Sequence, residues 1–137
     1  MLRGLTTTSF FADDLDAAAA WYTRLFGIEP YFKVPNGYIE FRIGDYEHEF
    51  GIVHSDHAPH DTRTGPAGAI AYWAVDDLDT TLARLTELGA TPHDPPTRRG
   101  DGYTTASVID PFGNILGIMI NIHYHDILDR HTHPETP

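Results

Sequence analysis

The chain has 137 residues, of which 41% are hydrophobic, so it is long enough for one domain with a core of its own and needs no disulfide or metal ion to fold. Its formal charge of -11, from 20 acidic and 9 basic residues, argues against nucleic acid or an anionic membrane as a partner and would attract cationic small molecules. It contains no cysteine, which excludes disulfides, thiolate ligands and cysteine nucleophiles.

Neither a membrane span nor a signal peptide is predicted. The apolar stretch over residues 115–122 is broken by Gly117 and Asn121 and is far too short to cross a bilayer. Residues 1–4 run into a Thr-rich segment without the charged region, apolar run and cleavage site of a signal peptide. We therefore expect a soluble, cytoplasmic protein.

The first predicted elements are a strand over residues 6–11, a helix, and strands over residues 38–43 and 50–54. The first strand ends at an Asp pair that can cap a helix and meet its N-terminal dipole. Gly27 stands where a left-handed C-cap would end that helix. Its apolar residues follow at steps of three and four, namely Leu15, Ala18, Ala19, Tyr22, Leu25 and Phe26.

A linker separates this first module, about 1–56, from the rest of the chain. Residues 54–67 are rich in His, Asp, Thr, Pro and Gly, which predicts a surface linker over about 57–67. The spacing of His54, His57 and His60 could in principle gather a divalent ion, although the segment is turn-like and places no ligand in a cleft. Solvated histidines are the alternative.

The second module, about 68–122, repeats the order of elements. A strand is predicted over residues 69–75 and a helix from Leu78 to Leu88 with Gly89 after it. A Pro-rich loop carrying Arg98 and Arg99 precedes strands over residues 103–109 and 115–120, which are joined by a turn over residues 110–114. We expect the polar tail, 123–137, to fray at its Pro-Glu-Thr-Pro end, while His123 could lie at the mouth of a cleft or in a packing or dimer contact.

The two modules are related by an internal repeat. Asp-Asp-Leu-Asp at residues 13–16 recurs at 76–79, an offset of 63. Gly37-Tyr38 recurs as Gly102-Tyr103 and Asp45 as Asp110, both with an offset of 65, and Gly51-Ile52 recurs as Gly117-Ile118 with an offset of 66. The kept order indicates a duplicated strand, helix and strands module with small loop insertions.

These features resemble the paired βαβββ units of the vicinal oxygen chelate superfamily, which contains glyoxalase I, bleomycin resistance proteins and extradiol dioxygenases. The segments Leu-Phe-Gly-Ile-Glu-Pro at residues 25–30 and Asp-Pro-Phe-Gly-Asn-Ile-Leu-Gly-Ile at residues 110–118 add to the resemblance. It implies a single α+β domain over residues 1–137, whose two βαβββ modules form a curled mixed sheet around a central cleft with helices outside. It also implies a small-molecule ligand and a homodimer.

Metal-dependent members of that superfamily take four ligands from the first and last strands of the modules. The resemblance and the repeat offsets carry these positions to Thr7, Gly51, Ile70 and Gly117, none of which is a good metal ligand. Glu49 lies on the same strand face as Gly51 and would serve if the alignment slipped, but one carboxylate is not a site. We therefore expect neither a metal ion nor another cofactor.

Strand alternation, phased on those four positions, separates a mixed face from an apolar one. The apolar set is Ile39, Phe41, Ile43, Phe50, Ile52, Ala71, Trp73, Val75, Leu116, Ile118 and Ile120. The face predicted to line the cleft carries Leu5, Thr7, Ser9, Tyr38, Glu40, Arg42, Glu49, Gly51, Val53, Ile70, Tyr72, Ala74, Tyr103, Thr105, Ser107, Ile115, Gly117, Met119 and Asn121.

Two functions remain open. The leading hypothesis is binding of a small flat or aromatic molecule, with Tyr38, Tyr72, Tyr103 and Met119 as a stacking wall and the four family positions facing the ligand. The alternative is a lyase, isomerase or dioxygenase, either metal-dependent with displaced ligands or metal-free with Glu40 or Glu49 as catalytic base. Arg42 would anchor an anionic group, unless it forms a Glu-Arg pair in a wet groove.

Overall fold

The computed structural model describes residues 1–134, which form two copies of a βαβββ module followed by a helix. This confirms the predicted α+β fold with its internal duplication. The elements are β1 (Thr7–Ala12), α1 (Leu15–Phe26), β2 (Phe32–Val34), β3 (Tyr38–Ile43), β4 (His48–His54), β5 (Ala71–Ala74), α2 (Leu78–Glu87), β6 (Thr91–Gly100), β7 (Tyr103–Ile109), β8 (Ile115–Asn121) and α3 (Ile122–Thr132), with a 3-10 turn at Ser55–His57.

The first compact unit comprises Met1–Gly68 together with Asp110–Asn114. Its sheet has the order β1-β4-β3-β2, with β1 parallel to β4 and the other pairs antiparallel. Helix α1 packs on the apolar side of this sheet: Tyr22, which is completely buried, lies 5.0 Å from Phe50 between ring centroids. Burial of these aromatic rings, rather than helix propensity, holds α1 in place.

Both ends of α1 are set by the residues that the sequence suggested. The Asp14 side chain accepts a hydrogen bond from the Ala17 amide at 3.0 Å, which satisfies one of the free donors of the first turn. Gly27 ends the helix with φ of 72°, a left-handed conformation that glycine adopts without penalty. The predicted cap positions are confirmed.

The β7–β8 turn is held in the first unit by a buried carboxylate. Asp110 is 3% exposed and accepts from the Tyr22 hydroxyl at 2.5 Å, from the amides of Phe112 and Asn114, and from the Asn114 side chain. Asn114 in turn bonds both backbone groups of Phe11 in β1. Burial raises the pKa of Asp110, although these hydrogen bonds oppose the rise.

The second compact unit, which comprises Ala69–Ile109 and the chain from Ile115 onward, repeats the arrangement. Its sheet has the order β5-β8-β7-β6, again with one parallel pair, β5 with β8. Asp77 caps α2 by accepting from the Thr80 amide at 2.8 Å. The core contains Leu85, Val108, Leu116 and Ile118, each at most 3% exposed.

Three segments differ from the sequence-based expectation. The predicted Pro-rich loop is strand β6, an edge strand whose register against β7 shifts three times. Its prolines have no backbone N–H to donate, which an edge strand tolerates. The same prolines made the segment look like a loop in the sequence. No residues were assigned to β2, although the resemblance implies three strands after each helix. The polar tail, for which no regular element was predicted, contains α3, while the fraying predicted for its Pro-Glu-Thr-Pro end concerns residues of which the last three lie outside the described range. No helix in residues 1–134 is long and apolar enough to cross a membrane.

Candidate functional site

The two faces of the first sheet differ as the alternation predicted. On the side of α1, Ile39, Phe41, Ile43, Phe50 and Ile52 are all buried. On the other side Thr7, Ser9 and Arg42 are exposed, and Tyr38, Glu40 and Glu49 are half-buried. The register of the strands explains this grouping. One row across the sheet contains Ser9, Gly51, Glu40 and Phe32, and the next row contains Thr7, Glu49 and Arg42. We call this second side the polar face.

Two tyrosines and two glutamates form a hydrogen-bonded cluster on the polar face. The Tyr38 hydroxyl donates to Glu40 Oε1 at 2.8 Å, and the Tyr31 hydroxyl donates to Glu40 Oε2 and reaches Glu49 Oε2 at 3.2 Å. Tyr31 is placed just before β2 by its own amide, which donates to the Glu40 carbonyl at 3.0 Å. Both phenol hydroxyls are thus paired to carboxylates.

Ionisation in the cluster follows from these contacts. Burial by itself raises the pKa of Glu40, but the hydrogen bonds from Tyr31 and Tyr38 outweigh it and hold that pKa below its usual range. The bond to Glu40 raises the pKa of Tyr31 to about 12, and burial together with the same carboxylate raises the pKa of Tyr38 further. At neutral pH the cluster contains an ionised Glu40 and two protonated phenols.

Arg42 does not pair with its cross-strand neighbour. Although Arg42 and Glu49 are directly opposite in β3 and β4, no ion pair joins them in residues 1–134. The guanidinium instead lies over the Tyr31 ring, with Cζ 4.3 Å from the ring centroid. This is the distance of a cation–π contact. The Glu-Arg pair considered from the sequence is therefore not formed.

The Tyr38 ring packs directly against Gly51. A Cβ at residue 51 would overlap the Tyr38 hydroxyl and lie 2.5 Å from its Cε2 atom and 2.6 Å from its Cζ atom. Ordinary contacts between such atoms are about 3.5 to 4.0 Å. Glycine is therefore required here for the close approach of a ring, and Tyr38 covers the position that the resemblance assigned to a metal ligand.

The second sheet repeats the tyrosine-on-glycine arrangement with residues from other strands. Tyr72 of β5 lies opposite Gly117 of β8, and a Cβ on Gly117 would lie 2.5 Å from Tyr72 Cδ1. Met119 lies opposite Thr105 in the next row and accepts a weak contact from the Asn121 side chain at 3.6 Å. Tyr72 is 39% exposed, so one face of its ring is open to solvent.

The remaining predicted residues are placed less centrally. Thr7 lies opposite Glu49 and belongs to the polar face, but Leu5 precedes the strand and is fully exposed. Ile70 precedes β5 and is half-buried. Tyr103 begins β7 opposite Asn121, in the row beyond Met119.

Several functional candidates of the first unit were missed because they lie in or next to β2, to which the sequence pattern assigned no residues. Tyr31, Phe32 and Val34 are each nearly half exposed, and Phe32 and Val34 lie opposite Glu40 and Tyr38. Arg99, which the sequence pattern placed in a loop, lies in β6 of the second unit and donates to Thr105 at 3.0 Å and to Asp94 at 3.2 Å. A run of aromatic and β-branched residues at 31–34 was the available signal for β2.

The residues of this chain do not fit a metal centre of the superfamily type. Thr7, Gly51, Ile70 and Gly117 offer no imidazole or carboxylate, and tyrosine rings cover both glycines. Throughout residues 1–134, no three His, Asp or Glu side chains converge into a group that could hold an ion. Glu49 is engaged with Tyr31 instead.

The linker histidines take separate positions. His54 Nδ1 accepts from the Asp56 amide at 3.1 Å, and its ring centroid lies 6.0 Å from that of His57. His60 packs edge-on against Phe11 at 5.2 Å. His123 is exposed in the first turn of α3.

Solved structures share this fold at low sequence identity. A lactoylglutathione lyase from Agrobacterium tumefaciens aligns with a TM-score of 0.66 and 24% identity over 87% of this chain and 94% of that one. A bleomycin resistance determinant encoded on the transposon Tn5 aligns at 0.63 and 23%, covering 87% and 98%. A fosfomycin resistance protein from Mesorhizobium loti aligns at 0.66 and 17%, covering 93% and 99%. No curated protein matches significantly by sequence. A family model matches residues 4–118, and the chain therefore belongs to the Glyoxalase/Bleomycin resistance protein/Dioxygenase superfamily.

Proposed function

We propose that this protein binds a small flat or aromatic molecule on the polar face of its first sheet, without a metal ion. The single observation that carries the proposal is the Tyr38 ring seated on Gly51 with its hydroxyl fixed by Glu40. A ring held in one orientation before the ligand arrives loses little conformational entropy on binding. Phe32, at 6.3 Å from Tyr38 between centroids, and Tyr31 extend the aromatic surface.

The cluster supports binding better than it supports base catalysis by Glu40. A general base acts best when its pKa lies near the working pH and when its lone pair is free to take a proton. Glu40 already accepts from two phenols, and its pKa is held low. Glu49 accepts from the Tyr31 hydroxyl at 3.2 Å, a longer contact than the 2.8 Å bond from Tyr38 to Glu40, and is the better base if the alternative, metal-free enzyme is correct.

Other parts of the proposal come from the sequence. The charge of -11 supports a small-molecule partner over nucleic acid or an anionic membrane. The resemblance to glyoxalase-type proteins supports a homodimer in the cytoplasm. We call a tyrosine ring seated on a glycine an aromatic platform. The second unit has such a platform in Tyr72 on Gly117, but the bond from the Tyr38 hydroxyl to Glu40 favours the platform of the first sheet as the ligand site.

A thermal-shift screen with flat and aromatic compounds, cationic glycopeptides included, tests the proposal. A ligand specific to the folded state at 100 times its Kd adds about 2.7 kcal/mol to the free energy of unfolding. For a domain of this size that raises Tm by several degrees. Compounds that stabilise the wild type should lose most of this effect with Tyr38→Leu, which removes the ring.

Tyr124→Leu is the matched control, because it removes the same kind of ring from α3, which belongs to the second unit and not to the first sheet. It should leave the ligand-induced shift unchanged. The proposal fails if no compound stabilises the wild type, or if Tyr38→Leu and Tyr124→Leu give the same ligand response. Turnover of a bound compound that Glu49→Gln abolishes would favour the enzyme alternative.

A further inference from the structure

We infer that Arg42 selects ligands that carry a carboxylate beside their aromatic plane. The inference rests on the proposed function, because it names the chemical class that the polar face would take. It concerns a guanidinium that stays without a hydrogen bond or ion pair in residues 1–134, although two carboxylates are near it. Its only specific contact there is with the Tyr31 ring.

The reason Arg42 stays unpaired is the position of Tyr31. The Tyr31 hydroxyl bonds Glu40 and reaches Glu49, so the phenol takes lone pairs that a guanidinium would otherwise use. The face of the same ring holds the guanidinium by a cation–π contact. One tyrosine therefore keeps the cation and the carboxylates apart and limits the freedom of both.

A guanidinium stacked on a ring keeps its N–H groups directed outward from its edge. That planar fork matches the two oxygens of a carboxylate, and the match is bidentate. Stacking also reduces the rotamer entropy that an exposed arginine loses on binding. An aromatic acid could therefore place its carboxylate on Arg42 and its ring on the surface of Phe32 and Tyr38.

Negative charge on the protein limits how strongly Arg42 can favour an anionic ligand. Glu40 and Glu49 lie on the same face, and the whole chain carries -11, so an anion is disfavoured at long range. The hydroxyls of Tyr31 and Tyr38 donate to Glu40 and so reduce its acceptor strength. Salt screens the long-range repulsion, because the Debye length is about 8 Å at physiological ionic strength. At an ionic strength of about 0.15 M we therefore expect the hydrogen bonds from Arg42 to the ligand carboxylate to outweigh the repulsion from the acidic chain.

The test compares 2-naphthoate with 2-naphthamide, a neutral molecule of nearly the same shape. Binding to the wild type is measured by titration followed in two-dimensional ¹H–¹⁵N NMR spectra, which detects weak complexes. We expect the acid to bind at least about tenfold more tightly than the amide. Arg42→Met should remove this preference, so that the acid binds no more tightly than the amide, since methionine keeps the apolar stem without the donors.

Arg84→Met is the matched control, because it makes the same charge change at an exposed arginine of α2 that pairs with Glu87. It should preserve the preference for the acid. Equal binding of acid and amide to the wild type, or loss of the preference in Arg84→Met, would overturn the inference while leaving the proposed function intact. If neither compound binds, the inference is wrong for aromatic acids, and the thermal-shift screen alone decides the proposed function.

Discussion

Gly51→Ala should change the stability of the protein in opposite directions, depending on whether Tyr38 is present. The added methyl group would lie 2.5 and 2.6 Å from two ring atoms, so the ring must move by about 1 Å to restore ordinary contact. That movement breaks the 2.8 Å hydrogen bond from Tyr38 to Glu40. The three atoms nearest to the new Cβ all belong to Tyr38, and the backbone at Gly51 has no positive φ.

The expected magnitude follows from two terms. A hydrogen bond to a charged group contributes about 1.5 to 3 kcal/mol, and the lower end applies here because Glu40 is only half-buried. Replacing Gly by Ala at a compatible backbone position stabilises by about 0.4 to 1 kcal/mol through the unfolded state. Gly51→Ala should therefore destabilise the wild type by about 1 kcal/mol. In a Tyr38→Ala background it should stabilise by about 0.5 kcal/mol.

Urea denaturation of the four proteins of this double-mutant cycle, followed by tryptophan fluorescence, measures both values. The change of sign is the decisive feature, because it does not depend on the exact size of either term. If Gly51→Ala is equally destabilising with and without the Tyr38 ring, the ring is not seated on Gly51 and the platform does not exist.

Three further predictions concern neighbouring contacts. Gly117→Ala should stay destabilising in a Tyr72→Ala background, because the new Cβ would also lie 2.9 Å from a backbone carbonyl oxygen of β5. Urea denaturation measures this, and a Gly117→Ala substitution that costs no stability in the Tyr72→Ala background would refute it. Tyr31 has its pKa raised to about 12, so it contributes stability below pH 10 that is lost as pH rises from 10 to 12. Glu40→Gln should lower the pKa of Tyr31 toward 10. Absorbance near 295 nm follows the titration, and the difference from Tyr31→Phe identifies the signal of Tyr31; a wild-type Tyr31 that already titrates near 10 would refute this prediction. Asp110→Ala leaves a buried phenol of α1 without its acceptor and should lower the free energy of unfolding by about 3 kcal/mol, whereas a loss under 1 kcal/mol would contradict the hydrogen bonds described.

Periodicity and cap chemistry were enough to predict the repeated module. The Asp caps of both helices, the glycine that ends α1 and the apolar face of the first sheet depend on local steps of two, three or four residues, which a sequence displays directly. The tyrosine platforms were predicted only in part. Alternation placed Tyr38 and Gly51 on one face, but nothing in it indicates that a ring rests on a glycine.

The missed elements share a physical reason. Strand β6 contains three prolines, at positions 92, 95 and 96, which remove ladder donors and suggested a loop. Helix α3 has no buried residue and lies in a segment rich in His and Asp, whose composition predicts a polar tail, although Asn121 caps it by accepting from the Tyr124 amide at 3.0 Å. Tyr31 was missed because its role depends on tertiary contacts with Glu40 and Arg42.

The measurement that tests the central claim most directly is NMR chemical-shift mapping of a flat aromatic ligand from the thermal-shift screen on the wild-type protein. The largest shifts are expected at the amides of Tyr38, Glu40, Glu49 and Gly51, on the polar face of the first sheet. Shifts confined to the second unit or to α3, with these four amides unchanged, would contradict the claim that this face binds the ligand.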